Sequence, residues 1–362
     1  MLENFVKQIM ENFSFYKESW NYEDGCIYTG IMDMYNATGD EKYYDFVFDN
    51  IKKWIGKDGK IRNYEISEYN IDNLNSGKVL FSIYSRTKEK KYETAIKELY
   101  EQVMTHPRTL EKNFWHKKIY PNQVWLDGLY MALPFYLEYE NVFNSRKNYD
   151  DIYNQILNVE KHMKDGKTGL YYHGYDESRE ERWADPETGL SQNFWSRAMG
   201  WYVMALIDVL EITDDKYEKK EKVKEVFRKA ADALLNFQDK ENGMWYQVIN
   251  KGDNPKNYAE TSGTLMIAYS ILKGCRLGIL DDGYRKSGEK AFYGTMKKYL
   301  SEKDGKIILG GICGVAGLGN DPYRDGSEEY YYSERLISND AKGTGPFLMA
   351  YSEIIQNQNI TK

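Results

Sequence analysis

Six segments of the sequence are apolar on nearly every side, and this pattern restricts the chain to a small set of folds. A helix without a polar face has to be buried all round. The segments begin at intervals of roughly 50 to 80 residues, a period that is typical of a repeated helix pair. They are Cys26–Tyr35, Leu74–Tyr84, Val124–Leu137, Met199–Leu210, Leu265–Leu272 and Phe347–Ile355.

The stretches between these segments have one apolar stripe and a heavily charged face, as surface helices do. Lys216–Phe237 shows the pattern most clearly. Five such outer helices fit between the six inner ones, and the N-terminal segment can supply a sixth. The sequence therefore predicts an all-α fold, an (α/α)6 barrel formed by residues 1–362 as a single domain without a flexible linker. An open α-solenoid is the alternative, but it would normally leave the inner helices partly polar on a concave face.

Four short segments interrupt the helical pattern with a turn followed by extended residues. We place them on the barrel rim as loops and small hairpins, where a rigid scaffold commonly carries its functional residues. They are residues 57–64, 167–176, 242–249 and 304–312.

Charge and composition exclude several classes of function. The net charge of −7 disfavours nucleic acid as a partner. The sequence contains no run of eighteen apolar residues, so it does not predict a membrane span. Cys26, Cys275 and Cys313 are odd in number and far apart, which fits neither a disulfide framework nor a metal knuckle. No secretory segment is visible, so we expect a cytoplasmic protein. No motif for a metal or another cofactor is present, and the oligomeric state stays open.

Two carboxylates stand near the starts of neighbouring inner helices. Asp127 is surrounded by apolar residues, where an unpaired carboxylate is costly to bury. Asp72 occupies the corresponding position of the preceding inner helix. Either residue could simply serve its helix N-terminus. If both lie at the same barrel mouth, they form the paired-acid arrangement of sugar chemistry.

A block rich in aromatic residues leads from a rim loop into the fourth inner helix. It contains His173, Trp195, Arg197 and Trp201. An arginine beside tryptophans can bind a carboxylate with its planar fork while an indole stacks on a sugar ring. A purely structural contact between Arg197 and an aromatic ring is an equally good reading of that residue alone.

The remaining histidines divide into two groups. His116, followed by Lys117, lies shortly before Asp127 and would add positive charge at the same mouth. His106 and His162 are expected on the surface, without a role in the site.

Several motifs of the chain together resemble the unsaturated rhamnogalacturonyl hydrolases, relatives of the unsaturated glucuronyl hydrolases. The resemblance is most specific over residues 72–208. Its motifs are NIDNLNSGK, HKKIYPNQVWLDGLYMALPFY, HGYD and WADPETGLSQNFWSRAMGWYVMALID.

The resemblance implies a function as well as the (α/α)6 barrel. Such enzymes act on the 4,5-unsaturated uronic acid at the non-reducing end of oligosaccharides that a lyase has released. They hydrate the enol-ether double bond, and the product collapses to release the neighbouring sugar. In this family pattern Asp127 corresponds to the acid/base and Asp72 to the second acidic residue. Contacts to the sugar ring or its carboxylate are implied for Tyr22, His116, Lys117, His173, Trp195, Arg197 and Trp201.

Three other functions stay open. An unsaturated glucuronyl hydrolase for glycosaminoglycan-type oligosaccharides would share the chemistry and differ in the neighbouring sugar. An inverting glycosidase on the same barrel would cleave saturated substrates. A carbohydrate-binding scaffold without catalysis needs only aromatic residues and arginine in a cleft.

Overall fold

Outer and inner helices alternate along the chain. The computed structural model describes residues 1–360, with side chains up to residue 357, so the last two residues of the predicted domain 1–362 lie outside it. The outer helices are α1 (Leu2–Glu11), α3 (Glu41–Trp54), α5 (Lys90–Thr105), α7 (Tyr149–His162), α9 (Lys220–Leu235) and α11 (Asp282–Tyr299). The inner helices are α2 (Tyr22–Thr38), α4 (Lys78–Thr87), α6 (Leu126–Phe143), α8 (Ser196–Ile212), α10 (Thr261–Arg276) and α13 (Ala341–Ile360).

The inner helices form a closed ring. Each packs against the next in chain order, and α13 packs extensively against α2, so the last inner helix meets the first. This closure excludes the open solenoid and confirms the predicted (α/α)6 barrel. None of the helices within residues 1–360 is both long and apolar enough to span a bilayer.

Small residues allow the inner helices to approach closely. A Cβ atom at Gly345 of α13 would lie 2.7 Å from the Cβ of Cys26 in α2. A Cβ atom at Gly263 of α10 would lie 2.6 Å from the carbonyl carbon of Ser196 in α8. Both distances are too short for a larger side chain, so glycine sets the helix spacing at these two contacts.

The second inner helix differs from its prediction. Its first part, Ile71–Gly77, is a 3-10 helix, and the α-helix α4 follows it. Asn70 caps this segment, because its side-chain oxygen accepts a hydrogen bond of 3.2 Å from the backbone N–H of Asp72. The apolar period predicted the buried segment but not this tighter winding.

Within residues 1–360 the rim carries three pairs of short antiparallel strands and one short helix. The hairpin expected at residues 304–312 is present in part, since β3 (Leu300–Lys303) pairs there with β4 (Lys306–Leu309). The segment 167–176 ends in a short strand that pairs with a segment about fifty residues earlier in the chain. The elements are β1 (Gln123–Trp125), β2 (Gly174–Asp176), β3 (Leu300–Lys303), β4 (Lys306–Leu309), β5 (Ile312–Cys313), α12 (Glu328–Ser333) and β6 (Leu336–Ile337).

Candidate active site

The N-terminal ends of the inner helices bring most of the predicted residues to one mouth of the barrel. Tyr22 is the first residue of α2, and Asp127 is the second residue of α6. Asp72 occupies the second position of its 3-10 helix. Trp195 directly precedes α8, and Arg197 is the second residue of that helix.

Backbone hydrogen bonds tie four separate segments together at this mouth. The N–H of Ile71 donates to the carbonyl of His116 over 3.2 Å, and the N–H of His116 donates to the carbonyl of Gln123 over 2.8 Å. The N–H of Leu126 donates to the carbonyl of His173 over 3.1 Å. The two predicted carboxylates directly follow the first and third of these donors, so their backbones are fixed to a common framework.

Asp72 is buried and ion-paired. Its Oδ2 lies 2.8 Å from Nζ of Lys117, and its Oδ1 lies 3.7 Å from Nε2 of His116. Burial by itself would raise the pKa of Asp72, but the Lys117 ammonium and His116 outweigh burial and lower it. The pKa of Lys117 is raised by the same pair, against the effect of its own burial. Asp72 is therefore held as a carboxylate.

Asp127 has a different environment. Its Oδ2 is buried and lies 3.5 Å from Nε2 of His173, but neither atom has a hydrogen-bond partner among residues 1–357. No lysine or arginine forms an ion pair with Asp127 within that range. One oxygen of Asp127 is thus available for proton transfer, whereas the charge of Asp72 is balanced by Lys117.

His116 lies between the two acids. Its Nδ1 would be 3.2 Å from a Cβ atom at Gly128, the residue after Asp127, and its ring stacks on Trp125 with 4.4 Å between centroids. Tyr120 also stacks on Trp125, with 4.8 Å between centroids, and lies 6.3 Å from the His116 ring. Burial lowers the pKa of His116 to about 4, so the ring is neutral at neutral pH.

Arg197 is buried in the wall of the mouth. Its Nη1 donates to the carbonyl of Cys313 over 2.6 Å and to Oγ of Ser262 over 3.2 Å. Its guanidinium carbon lies 4.6 Å from the ring centroid of Trp195. Nε and Nη2 have no hydrogen-bond partner among the described side chains and backbone groups, so Arg197 keeps two donors for a ligand anion.

The two other predicted aromatic contacts lie at different depths. Tyr22 is half-buried at the mouth, and burial raises its pKa well above the ordinary value, so its hydroxyl stays protonated. Trp201 lies deeper, with its indole stacked on Tyr130 at 4.8 Å between centroids. Nζ of Lys78 lies 3.3 Å from the centroid of the same Tyr130 ring.

The expectation that His106 lies on the surface was wrong. Its side chain is buried, and Nε2 donates to the carbonyl of Trp115 over 2.8 Å. The ring packs edge-on against Tyr69 and Phe114, which an exposed position would not provide. His162 is partly exposed and pairs with Glu111, as the charged face of its helix predicted.

Two further residues of the site, Tyr331 and Gln247, were not predicted from the sequence. Tyr331 is a buried residue of α12, and its hydroxyl lies 2.7 Å from Nδ1 of His173. Gln247 accepts a hydrogen bond of 3.1 Å from the indole N–H of Trp195. Both residues come from segments far along the chain, and no local spacing marks either of them.

Comparison with known proteins shows the family of this chain. A family model described as Glycosyl Hydrolase Family 88 matches residues 1–358. A solved family 105 glycoside hydrolase from C. acetobutylicum ATCC 824 is 44% identical with a TM-score of 0.94, and the match covers 97% of this chain and 98% of that one.

Two more distant relatives carry names of unsaturated uronyl hydrolases. Unsaturated rhamnogalacturonyl hydrolase YesR of Bacillus subtilis (strain 168) is 25% identical over 298 residues, covering 80% of this chain and 78% of the relative. The structure of unsaturated glucuronyl hydrolase from Bacillus sp. GL1 is 12% identical with a TM-score of 0.67, covers 99% of this chain and 96% of that one, and shows the fold alone. With a family match across nearly its whole length, this chain belongs to Glycosyl Hydrolase Family 88.

Proposed function

We propose that this glycoside hydrolase removes the 4,5-unsaturated uronic acid from the non-reducing end of rhamnogalacturonan oligosaccharides by hydrating the double bond. One observation carries the proposal. Two carboxylates at one mouth have opposite surroundings, since buried Asp72 is ion-paired with Lys117 at 2.8 Å and partly exposed Asp127 keeps a buried oxygen without a partner among residues 1–357. Acids in different environments can take different roles in sugar chemistry.

Asp72 stays ionised in the site, in an ion pair with Lys117. Its lowered pKa makes it a poor proton donor at neutral pH, whereas its carboxylate can accept a hydrogen bond from a sugar hydroxyl. Lys117 neutralises this charge, so the anionic substrate is not repelled at the mouth.

Asp127 is the acid and then the base. Its carboxyl group gives a proton to carbon 4 of the unsaturated ring, and positive charge develops at carbon 5 and the ring oxygen. The resulting Asp127 carboxylate takes a proton from water as the hydroxyl adds to carbon 5, which restores the acid. The hemiketal opens to a ketone, and the hemiacetal at carbon 1 releases the neighbouring sugar. One water is consumed, and the enzyme returns to its starting protonation state.

Arg197 binds the uronate carboxylate. Its guanidinium is held from one side by Cys313 and Ser262, which leaves Nε and Nη2 to form a two-point contact. The chain carries a net charge of −7, so an anionic ligand depends on such a local cation. Trp195 below the guanidinium fixes its plane.

Two observations support rhamnogalacturonan as the polymer. The motifs WADPETG and HKK resemble those of the unsaturated rhamnogalacturonyl hydrolases, and the relative from Bacillus subtilis carries that name. We further propose that residues 1–362 act as one catalytic domain in the cytoplasm. The three cysteines are free and buried, as a reducing compartment permits.

A substrate panel tests the proposal. Loss of ultraviolet absorbance is followed for two substrates, an unsaturated uronyl-rhamnose disaccharide and an unsaturated uronyl-hexosamine disaccharide. The third compound is a saturated uronyl-rhamnose disaccharide, and its cleavage is measured by the sugar released. The proposal expects the highest kcat/KM on the first and no release from the third. Preference for the hexosamine compound would favour a glycosaminoglycan-type substrate. Release from the saturated compound would indicate direct hydrolysis, and binding without turnover would indicate a non-catalytic protein.

A further inference from the structure

The short helix α12 places Tyr331 behind the pair formed by Asp127 and His173. The Tyr331 side chain is fully buried, and its hydroxyl lies 2.7 Å from Nδ1 of His173. Its ring stacks on Trp195 at 6.1 Å between centroids, and its carbonyl accepts a hydrogen bond of 3.1 Å from Nε2 of Gln247. The phenol is therefore fixed by its ring, its backbone and its hydroxyl.

The direction of the hydrogen bond between Tyr331 and His173 follows from the surroundings. Within residues 1–357 the Tyr331 hydroxyl has no partner other than Nδ1 of His173. Burial raises the pKa of Tyr331 well above the ordinary value, so the hydroxyl keeps its proton. That proton has no other acceptor and points at Nδ1. A neutral imidazole that accepts at Nδ1 carries its own proton on Nε2.

The second ring nitrogen faces the catalytic acid. Nε2 of His173 and Oδ2 of Asp127 are 3.5 Å apart, and both atoms are buried without another partner among the described residues. This separation is slightly longer than a normal hydrogen bond. Bonds of this kind often tighten when substrate closes the site, and a few tenths of an ångström would complete this one.

We propose that Tyr331 is a positioning residue whose hydroxyl fixes the Nε2–H tautomer of His173, so that this N–H donates to the Asp127 carboxylate once Asp127 has given up its proton. The opposite tautomer would direct a nitrogen lone pair at a carboxylate oxygen, which is repulsive. The proton on Nε2 stays on the ring throughout and enters no bond to substrate. This inference rests on the proposed function, because it takes Asp127 as the acid that becomes a carboxylate during turnover.

The tautomer is measured first on the wild-type protein, without any substrate. Isotope-edited NMR of the imidazole nitrogens distinguishes the two neutral forms, and the chain has only 4 histidines to assign. A His173→Gln variant identifies the signals of His173. We expect the Nε2–H form at neutral pH. The Nδ1–H form in the folded wild-type protein would overturn the inference, whatever the substrate proves to be.

Removal of one oxygen atom then tests the function of the contact. Tyr331→Phe keeps the ring stack on Trp195 and loses only the hydroxyl. Tyr332→Phe is the matched control, because it removes the neighbouring hydroxyl, which donates to Glu328 over 3.0 Å on the half-exposed side of α12. In Tyr331→Phe we expect mixed tautomers of His173 and a kcat at least about tenfold lower, with KM within about threefold of wild type. Tyr332→Phe should resemble wild type in all three quantities.

Failure of the inference and failure of the proposed function have different signatures. An inactive wild-type protein on every unsaturated disaccharide would refute the function. An active wild type whose Tyr331→Phe variant keeps its kcat would refute the inference and leave the function intact. A loss of kcat without a change of tautomer, or a change of tautomer without a loss of kcat, would also refute it.

Discussion

Lys117 and Asp72 are joined both through their side chains and through the backbone. Nζ of Lys117 lies 2.8 Å from Oδ2 of Asp72, and the backbone of Lys117 forms an antiparallel bridge with Asn70, two residues before that carboxylate. The ion pair is thus held by the strand-like framework of the mouth. In this fixed geometry Lys117 makes the largest of the interactions that lower the pKa of Asp72.

Replacement of Lys117 by glutamine should change the pH dependence of the reaction. Without the ammonium, burial would dominate and raise the pKa of Asp72. The ionised form of Asp72 would then be lost at a higher pH during acidification, so the acidic limb of the kcat/KM profile should move to higher pH. Lys118→Gln is the control, since Lys118 is exposed and its Nζ lies 3.4 Å from the Ser67 carbonyl. An unmoved acidic limb in Lys117→Gln would contradict the role given to the pair.

Asp127→Asn should abolish nearly all turnover while the protein stays folded. The amide keeps the shape of the side chain but has no acidic proton to transfer to carbon 4. Steady-state kinetics and the thermal unfolding midpoint measure the two effects separately. Activity within about tenfold of wild type, equivalent to roughly 1.4 kcal/mol in the barrier, would remove Asp127 from the catalytic role.

Two variants of Arg197 separate binding from structure. Arg197→Ala should raise KM by at least about tenfold, because two charge-assisted donors to the uronate are lost. It should also lower stability by about 1–3 kcal/mol, since the Cys313 carbonyl loses its donor. Arg197→Lys keeps the charge, so its KM should lie between that of the wild type and that of Arg197→Ala. If the alanine variant lost stability and kept its kinetic constants, Arg197 would be a structural residue only.

Acidification should destabilise the fold before most carboxylates titrate. Burial lowers the pKa of both His106 and His116 to about 4, against an ordinary value of 6.5. Between these two values the unfolded chain binds more protons than the folded one, so stability falls as pH decreases. Each histidine contributes at most about 1.4 kcal/mol per pH unit in that window. Urea unfolding between pH 6.5 and 5 measures the slope, and His106→Gln should make it shallower. Equal slopes in the two proteins would contradict the assignment for His106.

The sequence predicted the barrel because burial imposes a clear pattern on it. Helices that are apolar all round, such as Met199–Leu210 within α8, have no stable place except the inner ring. Asp127 could be singled out as a carboxylate in apolar surroundings, and Asp72 by its corresponding position in the preceding inner helix. Motif resemblance then added residues of the site, such as His173 and Arg197, whose own positions would not have decided between a functional and a structural role.

Contacts between distant segments explain what the sequence could not predict. The strand containing Gly174 pairs with Trp125, about fifty residues earlier in the chain, and no local period encodes such a partner. Tyr331 reaches His173 across 158 positions of sequence, from a helix of six residues with no apolar period. His106 looked exposed beside a proline, but a later segment folds over it and buries the ring.

The central claim is that Asp127 protonates carbon 4 of an unsaturated uronate, and the destination of the solvent proton tests it most directly. An unsaturated uronyl-rhamnose disaccharide is turned over once in heavy water and quenched early, before protons next to the new ketone can exchange. Hydration predicts one deuterium at carbon 4 of the released keto-uronate for each rhamnose set free. Release of rhamnose with no deuterium at carbon 4 would contradict the account, because direct hydrolysis sends its proton to the leaving oxygen and leaves the double bond untouched.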